Sequence, residues 1–172
     1  MKGRGMRRKD REVDTMEGIE EILGRCRTCH VAMLDGGAPY VVPLSFGYKL
    51  MDGGVLELYF HSAPAGKKID LLKRGGKACF EMSDEGETIR AESPCEWGYK
   101  YSSVIGYGAT EFIYDPAGKR EALSVLFRHQ TGLDVAFNEE QAAGVCVFKI
   151  VSTEYTGKHR TGDVPSVLKG KG

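Results

Sequence analysis

The sequence lacks a long hydrophobic run, an excess of either charge and an even set of cysteines, and each absence excludes a class of protein. No apolar stretch approaches the roughly 20 residues that a transmembrane helix needs, so no membrane partner is expected. The 24 basic residues balance 24 acidic ones, which leaves no overall field to attract nucleic acid. The basic N-terminus precedes no apolar signal segment. Five cysteines, an odd number, predict reduced thiols and a cytoplasmic location.

Several common catalytic motifs are also missing. The chain has no glycine-rich dinucleotide or nucleoside-triphosphate loop, no Gly-x-Ser-x-Gly elbow and no H-E-x-x-H zinc helix. Its histidines are scattered, at His30, His61, His129 and His159. The sequence therefore gives no local support for a hydrolase or a metalloenzyme.

The pentapeptide CRTCH begins at Cys26 and is the most conspicuous pattern present. C-x-x-C-H is typical of covalent haem attachment, and C-x-x-C alone is typical of zinc or of a dithiol pair. Covalent haem attachment generally needs export, which nothing here signals, and zinc needs about four ligands, for which no second pair follows. We therefore interpret Cys26 as a turn residue after a helix and Cys29 as the start of a strand.

Hydrophobic periodicity predicts a mainly β protein, a β-barrel with flanking helices, built from six or so antiparallel strands and about three helices. One helix is predicted after a capping box of Asp14 and Glu17. A second is predicted from Pro64, where proline suits the first turn, and a third from Asp115 to about Gln130.

The segment VLELYFHS alternates apolar and polar residues, which predicts a strand with His61 on the face opposite the core. The stretch 84–100 combines charge, proline and no clean periodicity, so it is predicted to be irregular. No linker divides the chain. The predicted organisation is an N-terminal extension over 1–13, one domain over 14–158 and a poorly ordered tail over 159–172.

The segment YFHSAPAGKKIDLL is the strongest candidate binding site. A strand leads through Ser62 into the start of a helix, where free N–H groups and the helix dipole favour an anion. Gly66 permits close approach, and Lys67 and Lys68 add positive charge. The alternative is a solvated lysine pair on an exposed helix. Ser62 at the cap and the neighbouring His61 favour a phosphate site.

Two other stretches suggest close approach by a ligand. Pro43 interrupts PYVVPLSF, and because proline cannot donate to a ladder, this strand must be bulged or lie at an edge. Its free backbone groups could bind a flat heterocycle, or the proline is simply tolerated there. Gly106 and Gly108 remove side chains where another backbone or a flat ligand approaches.

Together these motifs resemble the nitroimidazole-resistance-type branch of the pyridoxamine 5′-phosphate oxidase-like flavoproteins. The resemblance runs from about Met6 to Lys158 and is carried by MRRKDREV, APYVVPLSFGY, LYFHSAPAGKKIDLL, ACFEM and YSSVIGYGATEFI. It implies an FMN-binding split barrel and a homodimer with the flavin at the subunit interface.

The resemblance also implies site residues. The flavin ring is expected to border, largely through backbone groups, Val42, Pro43, Leu44 and Ser45. The ring and its ribityl chain are expected to contact Tyr59, His61 and Ser62, and the phosphate Lys67 and Lys68. The pocket is expected to be completed by Tyr101 and Ser103. Related proteins often carry arginine where this chain has Ser102, so Lys100 is a candidate substitute.

The implied function is an FMN-dependent oxidoreductase that reduces small, flat, electron-poor compounds such as nitroaromatics, with electrons from an external donor. His61 is the candidate catalytic residue because it can donate a proton near neutral pH. The alternatives are a non-catalytic FMN- or haem-binding dimeric module and a pyridoxamine-phosphate oxidase-like enzyme. The last is less favoured, because the sequence has no second basic cluster for a substrate phosphate.

Overall fold

The structure is a computed structural model that describes residues 6–161. Within these residues the strands are β1 Glu12–Val13, β2 Thr28–Asp35, β3 Ala38–Ser45, β4 Gly47–Met51, β5 Val55–Ser62, β6 Lys77–Ile89, β7 Gly98–Ile113 and β8 Cys146–Arg160. The α-helices are α1 Met16–Arg25, α2 Lys67–Lys73, α3 Pro116–Thr131 and α4 Glu139–Ala143, with short 3₁₀ helices at Lys9–Arg11 and Pro94–Glu96.

The strands form one antiparallel sheet in the order β3-β2-β6-β7-β8-β5-β4, with β1 added to β8. The end strands β3 and β4 are opposite extremes of this order, yet only Phe46 separates them in the chain. The sheet must therefore curl until its two ends meet, which produces a barrel. The predicted mainly β-barrel with flanking helices is confirmed.

The inside of the barrel is filled by large apolar side chains. Leu56, Leu58 and Phe60 of β5 are buried, as their alternation predicts. The Phe60 ring stacks on Phe148 of β8, with centroids 5.1 Å apart. Burial of each such side chain contributes about 1.5–3 kcal/mol, so this interior provides the main stabilisation of the barrel.

The helices pack outside the sheet. Helix α1 buries its apolar stripe and begins one residue later than predicted: Thr15, not Asp14, caps it, and its hydroxyl accepts from the Gly18 N–H at 3.2 Å. Helix α3 is capped by Asp115, as predicted. It approaches β4 so closely that a Cβ on Gly47 would be 2.5 Å from a backbone atom of the helix.

The prediction of an irregular stretch over 84–100 is wrong at both ends. Strand β6 continues to Ile89 and β7 begins at Gly98, with a register shift between Glu85 and Thr88. Most side chains of this hairpin extension are exposed. Neither face is buried, so the apolar alternation that marks a strand is missing here.

The two predicted ends of the domain also take part in the sheet. Strand β1 lies within the predicted extension 1–13 and pairs with β8. Strand β8 continues past the predicted boundary, and His159 and Arg160 pair with β7. The rest of the predicted tail, 162–172, lies outside the described residues. No helix in the described part of the chain is long and apolar enough to cross a membrane.

Candidate functional site

The CRTCH pattern is part of the core. Cys26 follows the last residue of α1 and Cys29 lies in β2, and both are buried. Burial raises the pKa of the Cys26 thiol to about 11 and also raises the pKa of Cys29. Both thiols are therefore protonated near neutral pH, and the interpretation of a helix-to-strand transition is confirmed.

Gly106 and Gly108 allow close approach by protein rather than by a ligand. A Cβ on Gly106 would be 2.4 Å from the Phe80 ring, and one on Gly108 would be 2.5 Å from the carbonyl oxygen of Val151 in β8. Both glycines face the barrel interior. They allow β7 to pack closely against Phe80 of β6 and against the neighbouring strand β8.

The junction between β5 and α2 contains two buried polar atoms without partners. His61 Nδ1 and Ser62 Oγ are buried and make no hydrogen bond within the described residues. Each such atom costs about 1–3 kcal/mol. Burial, followed by the charge of Lys68, lowers the pKa of His61. A bound polar group that met these atoms would be stabilised by removing this cost.

Helix α2 begins later than predicted. It starts at Lys67, and its N-cap is Gly66, with φ at 132° and no capping side chain. Ser62 is therefore not the cap, and Pro64 is not in the first turn. The hydroxyl of Ser62 is left at the end of β5, on the face of the strand opposite His61, and it caps no helix.

The two lysines of this junction have different surroundings. Lys67 Nζ lies 2.6 Å from a carboxylate oxygen of Asp35 and 4.6 Å from the centroid of the Tyr40 ring. Lys68 is half-buried and forms no salt bridge within residues 6–161. Lys67 therefore fixes α2 against β3, and Lys68 is the cation left for a ligand. Sequence reasoning missed Asp35, which looked like an ordinary turn residue.

Strand β3 lies at the edge of the sheet. Pro43 pairs with His30 of β2 in a continuous register, so the strand is an edge strand without a bulge. The side chains of Val42 and Leu44 pack against the core, whereas Pro43 and Ser45 are exposed on the outer face. The far side of the β3 backbone has no strand partner in the described chain.

Tyr101 and Ser103 lie on the outer face of β7. They line a cavity of about 450 Å³ together with Glu81, Ser83, Glu85 and Tyr99. Burial alone would raise the pKa of Tyr101, but Lys158 and Arg11, next to its hydroxyl, lower it below its usual value. Carboxylate and hydroxyl side chains and two tyrosine rings line the cavity, and Lys158 and Arg11 lie next to the Tyr101 hydroxyl.

The predicted residues fall into two groups rather than one. The β5–α2 junction adjoins β3 through Lys67 and Tyr40. Tyr101 and Ser103 lie three strands from β3 in the sheet order, roughly 14 Å away at about 4.8 Å per strand. Within one subunit, these two groups are not brought together.

Tyr59 belongs to neither group. It is buried under α3 and α4 with Leu123 and Ala142, and its hydroxyl donates to Glu57. Burial and that carboxylate raise its pKa. Its ring is therefore packed within the protein, and its proposed contact with a flavin stays a prediction.

Neither Ser102 nor Lys100 supplies a free positive charge in place of the arginine that related proteins often carry at position 102. Ser102 is buried and accepts a hydrogen bond from Arg25 at 3.1 Å. Lys100 is paired with Glu87 at 3.0 Å. The cations near the cavity come instead from Arg11, Lys158 and Arg160 at the two ends of the described chain. These three residues are far apart in the sequence and are brought near one another only by the pairing of β1 and β7 with β8.

The curled antiparallel sheet, with helices outside it and an open edge at β3, defines a split β-barrel. A family model described as "Pyridoxamine 5'-phosphate oxidase" matches residues 15–159, and the chain belongs to this family. Among curated proteins, none matches significantly.

Solved structures agree with this assignment. A candidate 5-nitroimidazole antibiotic resistance protein from Bacteroides thetaiotaomicron is 32% identical, with 86% of each chain covered and a TM-score of 0.74. An FAD-binding protein from Mesorhizobium loti is 25% identical, with 88% of this chain and 98% of that one covered and a TM-score of 0.61. An FAD- and haem-binding protein from Mycobacterium smegmatis shares the fold at 20% identity, with coverage of 94% and 81% and a TM-score of 0.75.

Proposed function

We propose that the protein binds a flavin, FMN, and uses it to reduce small, flat, electron-poor compounds such as nitroaromatics. Family membership supports this, as do the 5-nitroimidazole-resistance description of one relative and the FAD-binding description of another. The observation that carries the proposal is the unpartnered buried Nδ1 of His61, whose ring lies close enough to Lys68 for the lysine charge to lower its pKa. The unpartnered Ser62 Oγ is at the same end of β5, on the opposite face of the strand.

The residues at the β5–α2 junction fit the polar tail of FMN. Lys68 forms no salt bridge with a carboxylate in the described part of the chain and would pair with the phosphate. Ser62 Oγ and His61 Nδ1 would bond the phosphate or the ribityl hydroxyls, which removes the cost of leaving both atoms unpaired. The free backbone edge of residues 42–45 would hold the flat ring. Lys67, paired with Asp35, would position the helix.

The proposal includes a homodimer with the flavin at the subunit interface. One subunit would provide the β3 edge and the junction, and its partner would provide Tyr101 and Ser103. The outer face of the sheet between the β3 edge and Tyr101 carries exposed apolar side chains. Val41 is 52% exposed and Tyr107 is 51% exposed, and both lie in one row of paired residues that crosses β3, β2, β6 and β7. Aromatic surface of this kind is enriched at interfaces.

The flavin would supply the electron transfer, and the protein would orient it and control access. The pKa of His61 is lowered by burial, so the ring is neutral near pH 7 and carries one proton. A neutral imidazole passes on its N–H proton only as it accepts another at its second nitrogen, so His61 would relay a proton from water to the reduced substrate. His61 is therefore the candidate proton donor.

The test is titration of flavin-free protein with FMN, FAD and haem, followed by optical spectra and light scattering. We expect flavin bands, one FMN per subunit and a dimer. Absence of flavin binding would refute the proposal, and a Soret band would favour the haem-binding alternative. A monomer that holds FMN stoichiometrically would contradict the shared cleft.

The second test is nitroaromatic reduction with a chemical or nicotinamide donor. His61→Ala should lower turnover even at FMN concentrations that saturate the variant, and unchanged turnover would remove His61 from the mechanism. Flavin binding without turnover on any electron-poor compound would favour a non-catalytic module.

A further inference from the structure

Three cations converge on the outer face where β7 meets β8. Lys158 and Arg160 alternate along β8, so they share one face, and they pair in register with Ser103 and Tyr101 of β7. Arg11 ends the 3₁₀ helix immediately before β1, which itself pairs with the same part of β8. Residues from opposite ends of the described chain thus meet at Tyr101.

These cations are poorly compensated. Among residues 6–161, the only carboxylate within 4.0 Å of Arg11 is that of Asp10, at 3.9 Å. Arg8 already binds Asp10 through bonds of 2.7 and 2.5 Å. The Arg11 side chain is nonetheless only 15% exposed. Neither Lys158 nor Arg160 forms a salt bridge within residues 6–161.

Arg160 adds an unsatisfied donor. Its Nε is buried and has no hydrogen-bond partner among the described residues. The guanidinium packs directly over Gly98, where an added Cβ would be 2.1 Å from Nη1. The side chain is therefore held in place by packing rather than by an acidic partner. A buried guanidinium nitrogen without an acceptor is costly, and an oxyanion would remove that cost.

The acidic residues nearby do not neutralise the cluster. Glu12 lies opposite Lys158 but pairs with Lys9 at 2.8 Å. Glu81 pairs with His30 at 3.1 Å. Glu85 lies opposite Tyr101, on the far side of the cavity from β8, and is exposed. Glu81 and Glu85 thus lie on β6, and β7 separates them from the cations of β8.

We propose that Arg11, Lys158, Arg160 and the Tyr101 hydroxyl form a second oxyanion site, which binds a phosphate or carboxylate group of a small ligand. Planar guanidinium groups and a hydroxyl donor suit tetrahedral or planar oxyanions. If the proposed flavin chemistry holds, this site selects acidic substrates over neutral ones of the same shape.

Within one subunit this site is separate from the proposed flavin phosphate site. His61 pairs with Val147, and Val147 pairs with Ile113 of β7. From Ile113 back to Tyr101 is roughly 40 Å along the strand, at about 3.3 Å per residue. The two clusters can therefore bind separate anions.

The test uses flavin-free protein and inorganic phosphate, in a chloride buffer of low ionic strength that contains no other oxyanion. Binding is followed by calorimetry in a Lys68→Gln background, so that phosphate at the β5–α2 junction does not contribute. We expect Arg160→Gln or Lys158→Gln to weaken the remaining binding at least about tenfold. Lys77→Gln, an exposed lysine paired with Glu154 on the same sheet, should leave it unchanged.

No phosphate binding in the Lys68→Gln background would overturn the proposal. So would equal weakening by Lys77→Gln, because that would indicate nonspecific attraction. If Arg160→Gln fails to fold, Lys158→Gln tests the same site from the neighbouring position. Failure to bind FMN would refute the flavin proposal but leave this result intact. Displacement of the phosphate by FMN through Arg160 would assign the cluster to the cofactor and reject a second site.

Discussion

Replacement of Lys68 by glutamine is the sharpest test of where a flavin phosphate binds. Lys68 is half-buried, lacks a salt bridge within residues 6–161 and lies close enough to His61 to lower its pKa. A hydrogen bond to a charged group contributes about 1.5–3 kcal/mol. Lys68→Gln should therefore weaken FMN binding by about 10- to 150-fold.

Two matched controls identify the cause of any loss. Riboflavin lacks the phosphate, so its affinity should be the same for the wild type and for Lys68→Gln. Lys67→Gln should have a smaller effect on FMN, because Lys67 already pairs with Asp35. Flavin fluorescence titrations measure all five affinities, three for FMN and two for riboflavin.

A second readout is the titration of His61. Loss of the Lys68 charge should raise the pKa of His61, while burial, the larger cause, still holds it below its usual value. Proton NMR of the imidazole follows this directly. If Lys68→Gln weakens FMN and riboflavin equally, or neither, the phosphate does not bind at Lys68 and the reasoning fails.

Three further predictions concern stability and reactivity. Gly47→Ala forces a Cβ to 2.5 Å from the α3 backbone and should cost about 1–3 kcal/mol in chemical denaturation, whereas Gly144→Ala, with its nearest atom at 3.8 Å, should be nearly neutral. Burial lowers the pKa of His129 below its ordinary value of about 6.5, so the stabilisation by its neutral ring is complete above about pH 6.5 and is lost as the pH falls. In His129→Gln, thermal stability should therefore decrease less towards acid pH than in the wild type. Cys95 is exposed and should react with a thiol reagent in the folded protein, whereas buried Cys29 should react only on unfolding; rapid labelling of Cys29 would contradict its burial.

The barrel was predictable from the sequence because the residues that its strands and helices bury recur at regular intervals along the chain. The alternation of Leu56, Leu58 and Phe60 identified β5 and its inward face, and Asp115 identified the start of α3. The β6–β7 hairpin extension was missed because its side chains are exposed on both faces, so no alternation marks it. Local pattern also misplaced the start of α2, where Gly66 rather than Ser62 is the cap.

The candidate site was predictable only where its residues are close in sequence. His61, Ser62 and Lys68 fall within one segment, and the structure places Lys68 close enough to His61 to lower its pKa. The partner of Lys67, Asp35, lies in a distant turn, and no local signal connects the two. The cluster at Tyr101 depends on the register of β7 with β8, which places Arg160 opposite it. Sequence periodicity gives the face of a residue but not its neighbour on another strand.

The position of β8 between β7 and β5 has a consequence for how the chain is made. The hairpins β2–β3, β4–β5 and β6–β7 can form locally, but β8, which is synthesised after all of these strands, joins β7 to β5. Until Cys146–Arg160 leaves the ribosome, two long strand edges and an apolar interior have no cover. The nascent protein should therefore depend on chaperones late in translation, and a product that stops before β8 should aggregate rather than persist as a half-barrel.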